Sequence, residues 1–345
     1  MVEVPVNIIE NFSLQAYNSL ALPAVARYFI TINAMDELVE LSRHYRLNTL
    51  PWLVLGSGSN VVFSKDYNGV IIHLELNNIY YRVDDEAVYI HAEAGVIWDK
   101  LVQETLIKGY PGLENLSLIP GTVGAAPVQN IGAYGIELKD YFSSLLAWDR
   151  ELQRFCHLDA NDCCFSYRHS IFKEEPGRYI ILKVVLKLPC AWRPQLQYQA
   201  LNSAMIDQPL SADRIRNVVC ELRRSKLPDP ELLPNAGSFF KNPCINQALF
   251  SELKSLYSDL PSFAAGVADQ VKVPAAWLIE QAGWRGKALG AVGMYEKQAL
   301  VLVNHGGASG DEVLELAQCV QSDVWEKFGV QLEVEPQIFG ALTEN

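Results

Sequence analysis

Apolar positions along this chain repeat at two spacings, and the spacing changes wherever turn residues intervene. From Ala34 to Leu47 the period is helical. Leu38, Leu41 and Tyr45 share a face, and Asp36 and Glu37 sit in the first turn, where carboxylates suit the positive end of a helix. WLVLGSGSNVVFS then reads as a buried strand, a glycine turn and a second β-branched run. GVIIHLEL, IYYRV and AVYIHAEA follow as strands at short intervals. Helical spacing returns from Ile97 to Lys108 through Trp98, Leu101, Val102 and Leu106. SSLLAWD and RYIILKVVLKL are strands again, and Pro189 to Pro194 reads as a domain boundary. Beyond it, Ala212 to Leu227 is amphipathic through Ile215, Val219 and Leu222, and must end before Pro228. After the strand QALVLVN, Ser309 and Glu312 form a capping box for a helix carrying Val313, Leu316, Ala317, Val320 and Val324. Gly329 suits the C-terminal cap of that helix, and VQLEVEP reads as a last strand. The pattern is α+β, with a larger N-terminal part of mixed strands and helices and a smaller C-terminal α/β part.

Composition narrows the class. A chain of 345 residues is too long for one simple core, and 50% hydrophobic residues mark a folded protein. A net charge of -12 argues against a nucleic-acid partner, although a local basic pocket fits inside an acidic surface. No apolar run approaches the roughly 20 residues that span a bilayer. MVEVPVNIIENFS has neither the basic nor the apolar region of a secretory signal, so a cytoplasmic location is expected. The 7 cysteines are odd in number, Cys163 and Cys164 are adjacent, and no C-x-x-C occurs, which favours free thiols. The 6 histidines are scattered, and no metal site is expected.

Two glycine loops carry the candidate chemistry. The first is Gly56, Ser57, Gly58, Ser59 and Asn60, after the strand WLVL. It fails the dinucleotide fingerprint: the third glycine would fall at Val61, and the β-branched run that follows prefers a strand to a helix. Successive backbone N–H groups with Ser57, Ser59 and Asn60 suit a phosphate, and an ordinary hairpin turn is the plainer alternative. The second loop, SLIPGTVGAAPVQNIGAYG, has no charged residue. Gly121, Gly124, Gly132 and Gly135 allow close backbone approach, Ala125, Ala126 and Ala133 keep its walls small, and Gln129 and Asn130 offer amides. A pyrophosphate or the polar edge of a flat ring would fit such a surface; a buried inter-domain loop with tight turns is the alternative. Together the loops point to a nucleotide cofactor held by backbone on a non-Rossmann fold.

The set LVLGSGSNVVF, LIPGTVGAAPVQNIGAYGIEL, CCFSYRHSIFK, LPDP, NAGSFFKNP and LEVEP, in this order from about Asn18 to Gly340, resembles the UDP-N-acetylenolpyruvoylglucosamine reductase family. The resemblance implies an FAD-binding fold of the vanillyl-alcohol oxidase/p-cresol methylhydroxylase type plus a C-terminal α/β substrate domain. It sets the FAD domain at 20–195, in lobes of about 20–70 and 71–195, and the substrate domain at 205–340. The Tyr198 region resembles the longer, type I form, in which a tyrosine loop closes over substrate. The implied enzyme is an NADPH-dependent UDP-N-acetylmuramate dehydrogenase, acting as a monomer in peptidoglycan precursor synthesis and so in cell-wall building, cell shape and division. Its partner is a UDP-linked enolpyruvyl amino sugar, with no nucleic acid and no membrane.

The resemblance also distributes roles. FAD contacts fall on Gly56 to Asn60, Pro120, Gly121, Gly124, Ala125, Gln129, Asn130, Gly132, Ala133, Tyr134 and Gly135. Arg168 grips the substrate carboxylate, Ser238 gives a proton to the carbanion, and Glu335 polarises the enolate. LEVEP lacks the proline that usually separates the two glutamates; spacing to IFG selects Glu335, with Glu333 as the fallback. Tyr198 and Lys226 match contacts to the substrate diphosphate, and Tyr167, Asn242 and Gln298 are further substrate candidates. Read alone, these residues fit ordinary structural places: a surface ion pair for Arg168, a turn serine for Ser238, an edge-strand glutamate for Glu335. An FAD-dependent sugar or alcohol oxidase of the same fold, or a non-catalytic nucleotide-binding module, are the other readings. The absence of histidine from both glycine loops speaks against a histidine-tethered flavin there.

Overall fold

The structure, a computed structural model, describes residues 6–340; Met1 to Pro5, part of the leader reading, lie outside them. The chain forms two compact units. The first comprises 1–12, 26–57 and 68–223, and the second 13–25, 58–67 and 224–345.

The first unit is built on two sheets. One has the order Ile8–Ser13, Val25–Ile32, Tyr67–Leu74 and Trp52–Val54. Its last two strands are parallel, with Trp52 opposite Val70. The other is a five-stranded antiparallel sheet, ordered Arg154–Asp159, Phe142–Asp149, Tyr179–Pro189, Ala87–Glu93 and Ile79–Val83. Alternation along Tyr179–Pro189 puts Leu182, Val184, Leu186 and Leu188 inside. The helix Trp98–Ile107 buries Trp98, Leu101 and Val102 against this sheet's core, where each large side chain removed from water contributes about 2 kcal/mol.

The second unit has a four-stranded antiparallel sheet, ordered Asn235–Ser238, Val301–Asn304, Val292–Met294 and Ala288–Leu289. The helix Gly310–Phe328 packs its Val313, Leu316, Val320 and Val324 into the same core as Phe239, Phe240 and Leu302. The helix has the expected ends: the Ser309 hydroxyl accepts from the Glu312 N–H, the Glu312 carboxylate accepts from the Ser309 N–H, and Gly329 closes it at φ 63°.

Three sequence expectations need correction. The helix from Ala34 breaks into Met35–Ser42 and Tyr45–Asn48, because the Arg43 N–H turns back to the Glu40 carbonyl. Tyr45 is thereby turned out, 83% exposed, and Leu47 takes the buried place. The hairpin alternative for WLVLGSGSNVVFS fails, since Val61–Phe63 pairs in parallel with Gln337–Phe339 and not with Trp52–Val54. VQLEVEP is not a continuous strand: it makes one bridge, Val334 to Phe240, and regular pairing starts only after Pro336, which lacks an N–H to donate.

Candidate functional site

In the first unit the two glycine loops meet. The second loop is pinned to the end of the strand Ala87–Glu93: the Gly124 N–H donates to the Ala94 carbonyl at 2.9 Å, the Val123 N–H to the Val96 carbonyl at 2.8 Å, and the Trp98 N–H to the Gly121 carbonyl at 3.0 Å. Gly124 is needed for this contact, because a Cβ there would lie 2.6 Å from the Ala94 methyl. A Cβ on Gly56 would lie 2.8 Å from the Thr122 hydroxyl and 3.6 Å from the Ala125 methyl, so the backbone of the first loop runs directly against small side chains of the second. Ser57, Pro120, Ala125 and Gly135 remain exposed. Backbone and small side chains, free of charge, thus form a surface that fits an FAD held by main-chain groups. The first loop divides after Ser57: Gly58, Ser59 and Asn60 belong to the second unit, where the Ser19 N–H donates to the Gly58 carbonyl.

Asn130 is spent inside the protein. Its amide donates to Glu137 at 3.0 Å and to the Ser166 carbonyl at 3.1 Å, and its oxygen accepts the Lys139 N–H at 3.0 Å. Fully buried and at φ 45°, it shapes the loop from within. Its partner Ser166 opens a tight turn. Ser166 and His169 bond to each other's backbone, leaving Tyr167 and Arg168 at the apex, with Arg168 at φ 56°. The Ser170 hydroxyl donates to the Val128 carbonyl at 2.6 Å, and the Arg168 Nη2 donates to the Gly132 carbonyl at 3.1 Å. The turn carrying Arg168 is therefore bolted to the glycine loop at three points.

The loop's far end meets the arm that carries Tyr198. Tyr134, at φ 49°, packs edge-on against the Tyr198 ring with centroids 5.2 Å apart. Burial pushes the Tyr134 hydroxyl up to about 12. The arm is tied down by two buried residues of GLENLS. Glu114 accepts from the Gly112 N–H at 2.6 Å and from the Trp192 indole at 2.7 Å, while Asn115 donates to the carbonyls of Tyr134 and Gln195 at 2.9 and 2.8 Å. A cavity of about 580 Å³ opens here, with Gly112, Gly135, Tyr141 and Trp192 among its lining. Glu114 and Asn115 have no place in the sequence reading; a carboxylate and an amide between apolar residues, just before the glycine loop, were the available signal.

Behind the loop, Asp99 joins two helices. Both its oxygens accept from Arg216, at 2.8 and 2.9 Å, and Oδ1 also accepts the Leu118 N–H at 2.6 Å. Burial opposes the charge, but the Arg216 guanidinium and the Leu118 N–H outweigh it and hold the carboxyl below its usual range.

In the second unit, Ser238 and Glu335 come side by side. Ser238 ends the strand Asn235–Ser238 and is exposed, and the next carbonyl, that of Phe239, accepts the Glu335 N–H at 2.9 Å. Glu335 is 8% exposed, whereas Glu333 is an exposed residue paired with Lys241. The Gln337 N–H donates to the Asn60 carbonyl at 3.0 Å, so the first loop's end abuts the Glu335 segment. Asn242 accepts the Ala275 N–H through Oδ1 at 2.9 Å. Gln298 lies in the turn closed by the Val301 N–H to the Gln298 carbonyl, and Lys226 is the last residue of the helix Ala212–Lys226. Among the described residues no cluster of three or more His, Cys, Asp or Glu could hold a metal ion.

Residues 26–151 match the model of an FAD-binding domain. With the backbone-lined loops and the α+β architecture, this defines an FAD-binding protein. Residues 229–339 match the model described as UDP-N-acetylenolpyruvoylglucosamine reductase, C-terminal domain. Two proteins named UDP-N-acetylenolpyruvoylglucosamine reductase, from Burkholderia vietnamiensis and Burkholderia pseudomallei, are 46% and 45% identical to this chain, each covering 96% of it and 97% of their own length. The crystal structure of the reductase from Thermus caldophilus has the same fold, with a TM-score of 0.68 and 24% identity over 97% of this chain and 98% of that one. The chain belongs to the UDP-N-acetylenolpyruvoylglucosamine reductase family.

Proposed function

We propose that this protein uses NADPH to reduce the enolpyruvyl ether of UDP-N-acetylglucosamine to the lactyl ether, UDP-N-acetylmuramate, as a cytoplasmic monomer. In this reading an FAD held by the uncharged loops would supply the hydride chemistry between NADPH and the terminal carbon of the enolpyruvyl double bond. Negative charge then builds on the carbon beside the carboxylate and spreads into it. The Arg168 guanidinium, always charged and held at a turn apex, grips that carboxylate. The Ser238 hydroxyl gives its proton to the carbanion; serine is a weak acid, but the carbanion is strongly basic. Glu335 polarises the developing enolate from beside Ser238. Tyr198, Lys226, Tyr167, Asn242 and Gln298 are assigned to the rest of the substrate.

The observation that supports the mechanism is the nearness of Ser238 and Glu335 along the chain's pairing: the Glu335 N–H bond to the Phe239 carbonyl sets Ser238 and a carboxylate with little exposure on neighbouring backbones. It favours Glu335 over the exposed, ion-paired Glu333. The test separates two half-reactions by stopped flow. Ser238→Ala should leave flavin reduction by NADPH unchanged and slow reoxidation by the enolpyruvyl substrate by roughly 10²–10⁴-fold. Equal loss in both halves would remove Ser238 from the role of proton donor.

A further inference from the structure

The first half of the second glycine loop is laid against the chain that leads into the helix Trp98–Ile107. The Gly124 and Val123 N–H groups donate to the carbonyls of Ala94 and Val96, Thr122 bridges to Ile97, and the Gly121 carbonyl accepts the Trp98 N–H. Pro120 has no N–H to continue this backbone pairing. Two residues further back, Leu118 is held instead by a side chain: its N–H donates to Asp99 Oδ1 at 2.6 Å.

Leu118 stands at φ 55°, in the left-handed region that a side chain disfavours and glycine takes freely. A backbone held there persists where its surroundings over-determine it. Asp99 is such a surrounding. Oδ1 also accepts from Arg216 at 2.8 Å, and Oδ2 accepts from Arg216 at 2.9 Å and from the Gln103 amide at 2.9 Å. An acid in the first turn of a helix ordinarily serves the N–H groups of that turn. None of these four bonds does so. The carboxylate is gripped by a forked guanidinium, which fixes its orientation, and its remaining backbone bond goes to the loop.

We propose that Asp99 is the positioning residue of the FAD loop: it holds Leu118 in the left-handed conformation, so that Pro120, Gly121 and the residues after them are already arranged for the cofactor, and Arg216 keeps it oriented. This rests on the FAD contacts assigned to the loop above. Without the Asp99 bond, the leucine moves to a conformation that its side chain favours, the loop entry shifts, and cofactor binding has to restore it.

The test is FAD affinity, measured by flavin fluorescence as FAD is titrated into flavin-stripped protein, for Asp99→Ala, Leu118→Gly and the double variant. Asp99→Ala should bind FAD about 10- to 100-fold more weakly, the range of one hydrogen bond to a charged group. Leu118→Gly alone should bind as wild type does. In the double variant glycine accepts the left-handed backbone unaided, so most of the affinity lost in Asp99→Ala should return, although Arg216 stays without its carboxylate. A purely structural ion pair would not be rescued by a glycine at position 118. If Asp99→Ala does not fold, Asp99→Ala with Arg216→Met, which leaves no charge unpaired, takes its place in the same comparison. Unchanged FAD affinity in Asp99→Ala overturns the proposal, and so does a double variant that binds no better than Asp99→Ala. Wild-type protein that takes up no flavin would defeat the FAD reading itself, whereas a flavin-binding wild type indifferent to the loss of Asp99 defeats this proposal alone.

Discussion

Single residues decide how the cofactor surface is held. Gly124 looks in sequence like a residue kept small for a ligand, but the nearest atom to its missing side chain is the Ala94 methyl. Gly124→Val should therefore displace the loop from its sheet and yield protein with weakened or absent FAD, read by flavin absorbance after gel filtration, and with a lowered melting point even without flavin. Asp99 makes a pH prediction. Its folded pKa lies below the unfolded value near about 3.9, so the pair's stabilisation is fully present above that value and is lost as pH falls below it. Asp99→Asn should cost about 3 kcal/mol at neutral pH by leaving Arg216 without its charge, and should flatten the acid limb of a denaturation series. Asn130 shows what sequence does not reveal: an amide's type is visible, but whether its atoms are already taken is a matter of three partners at positions 137, 139 and 166.

At the level of elements, the best-read pieces have strong local grammar. The helix Gly310–Phe328 has its capping box, apolar stripe and terminal glycine all within itself, so its sequence predicts it residue by residue. Ser309→Ala should lower stability by about 1 kcal/mol, measured by urea denaturation, without affecting flavin content. The VQLEVEP segment has strand-like alternation yet gains only one bridge, because strand pairing depends on a partner elsewhere in the chain. The arm from Cys190 to Tyr198 has no regular structure and is held by the Glu114 carboxylate and the Asn115 amide. Glu114→Leu should free Trp192 and let the arm fray. Faster amide exchange across 190–198 and a raised KM for the UDP-sugar, with NADPH reduction of the flavin unchanged, are the expected signs.

The whole molecule is assembled by chain crossings that composition and periodicity do not announce. Short segments 13–25 and 58–67 join the second unit although the first unit's sequence surrounds them. One consequence is that GSGSN, a single motif on paper, divides between units after Ser57. At this scale the decisive measurement is the visible spectrum of the purified protein under anaerobic conditions. A flavin spectrum should be present or appear on adding FAD, and should bleach with NADPH. A protein that stays colourless with added FAD would contradict the flavoenzyme reading.

The sequence by itself determined the class of fold, the strong helices and most strands, and the two glycine loops with their lack of charge, because these depend on local spacing and on residue types that leave few options. It also carried the family through motifs spread over nearly the whole chain. Only the tertiary structure decided that WLVL and VVF go to different sheets, and that Glu335, not Glu333, is the buried neighbour of Ser238. The same holds for Arg216, which has a carboxylate, and Arg223, which has none among the described residues. Each of these is a question of which distant group arrives at a given atom. Hydrogen-bond and charge partners are fixed by long-range packing, and two arginines on one helix face read alike until their neighbours are in place.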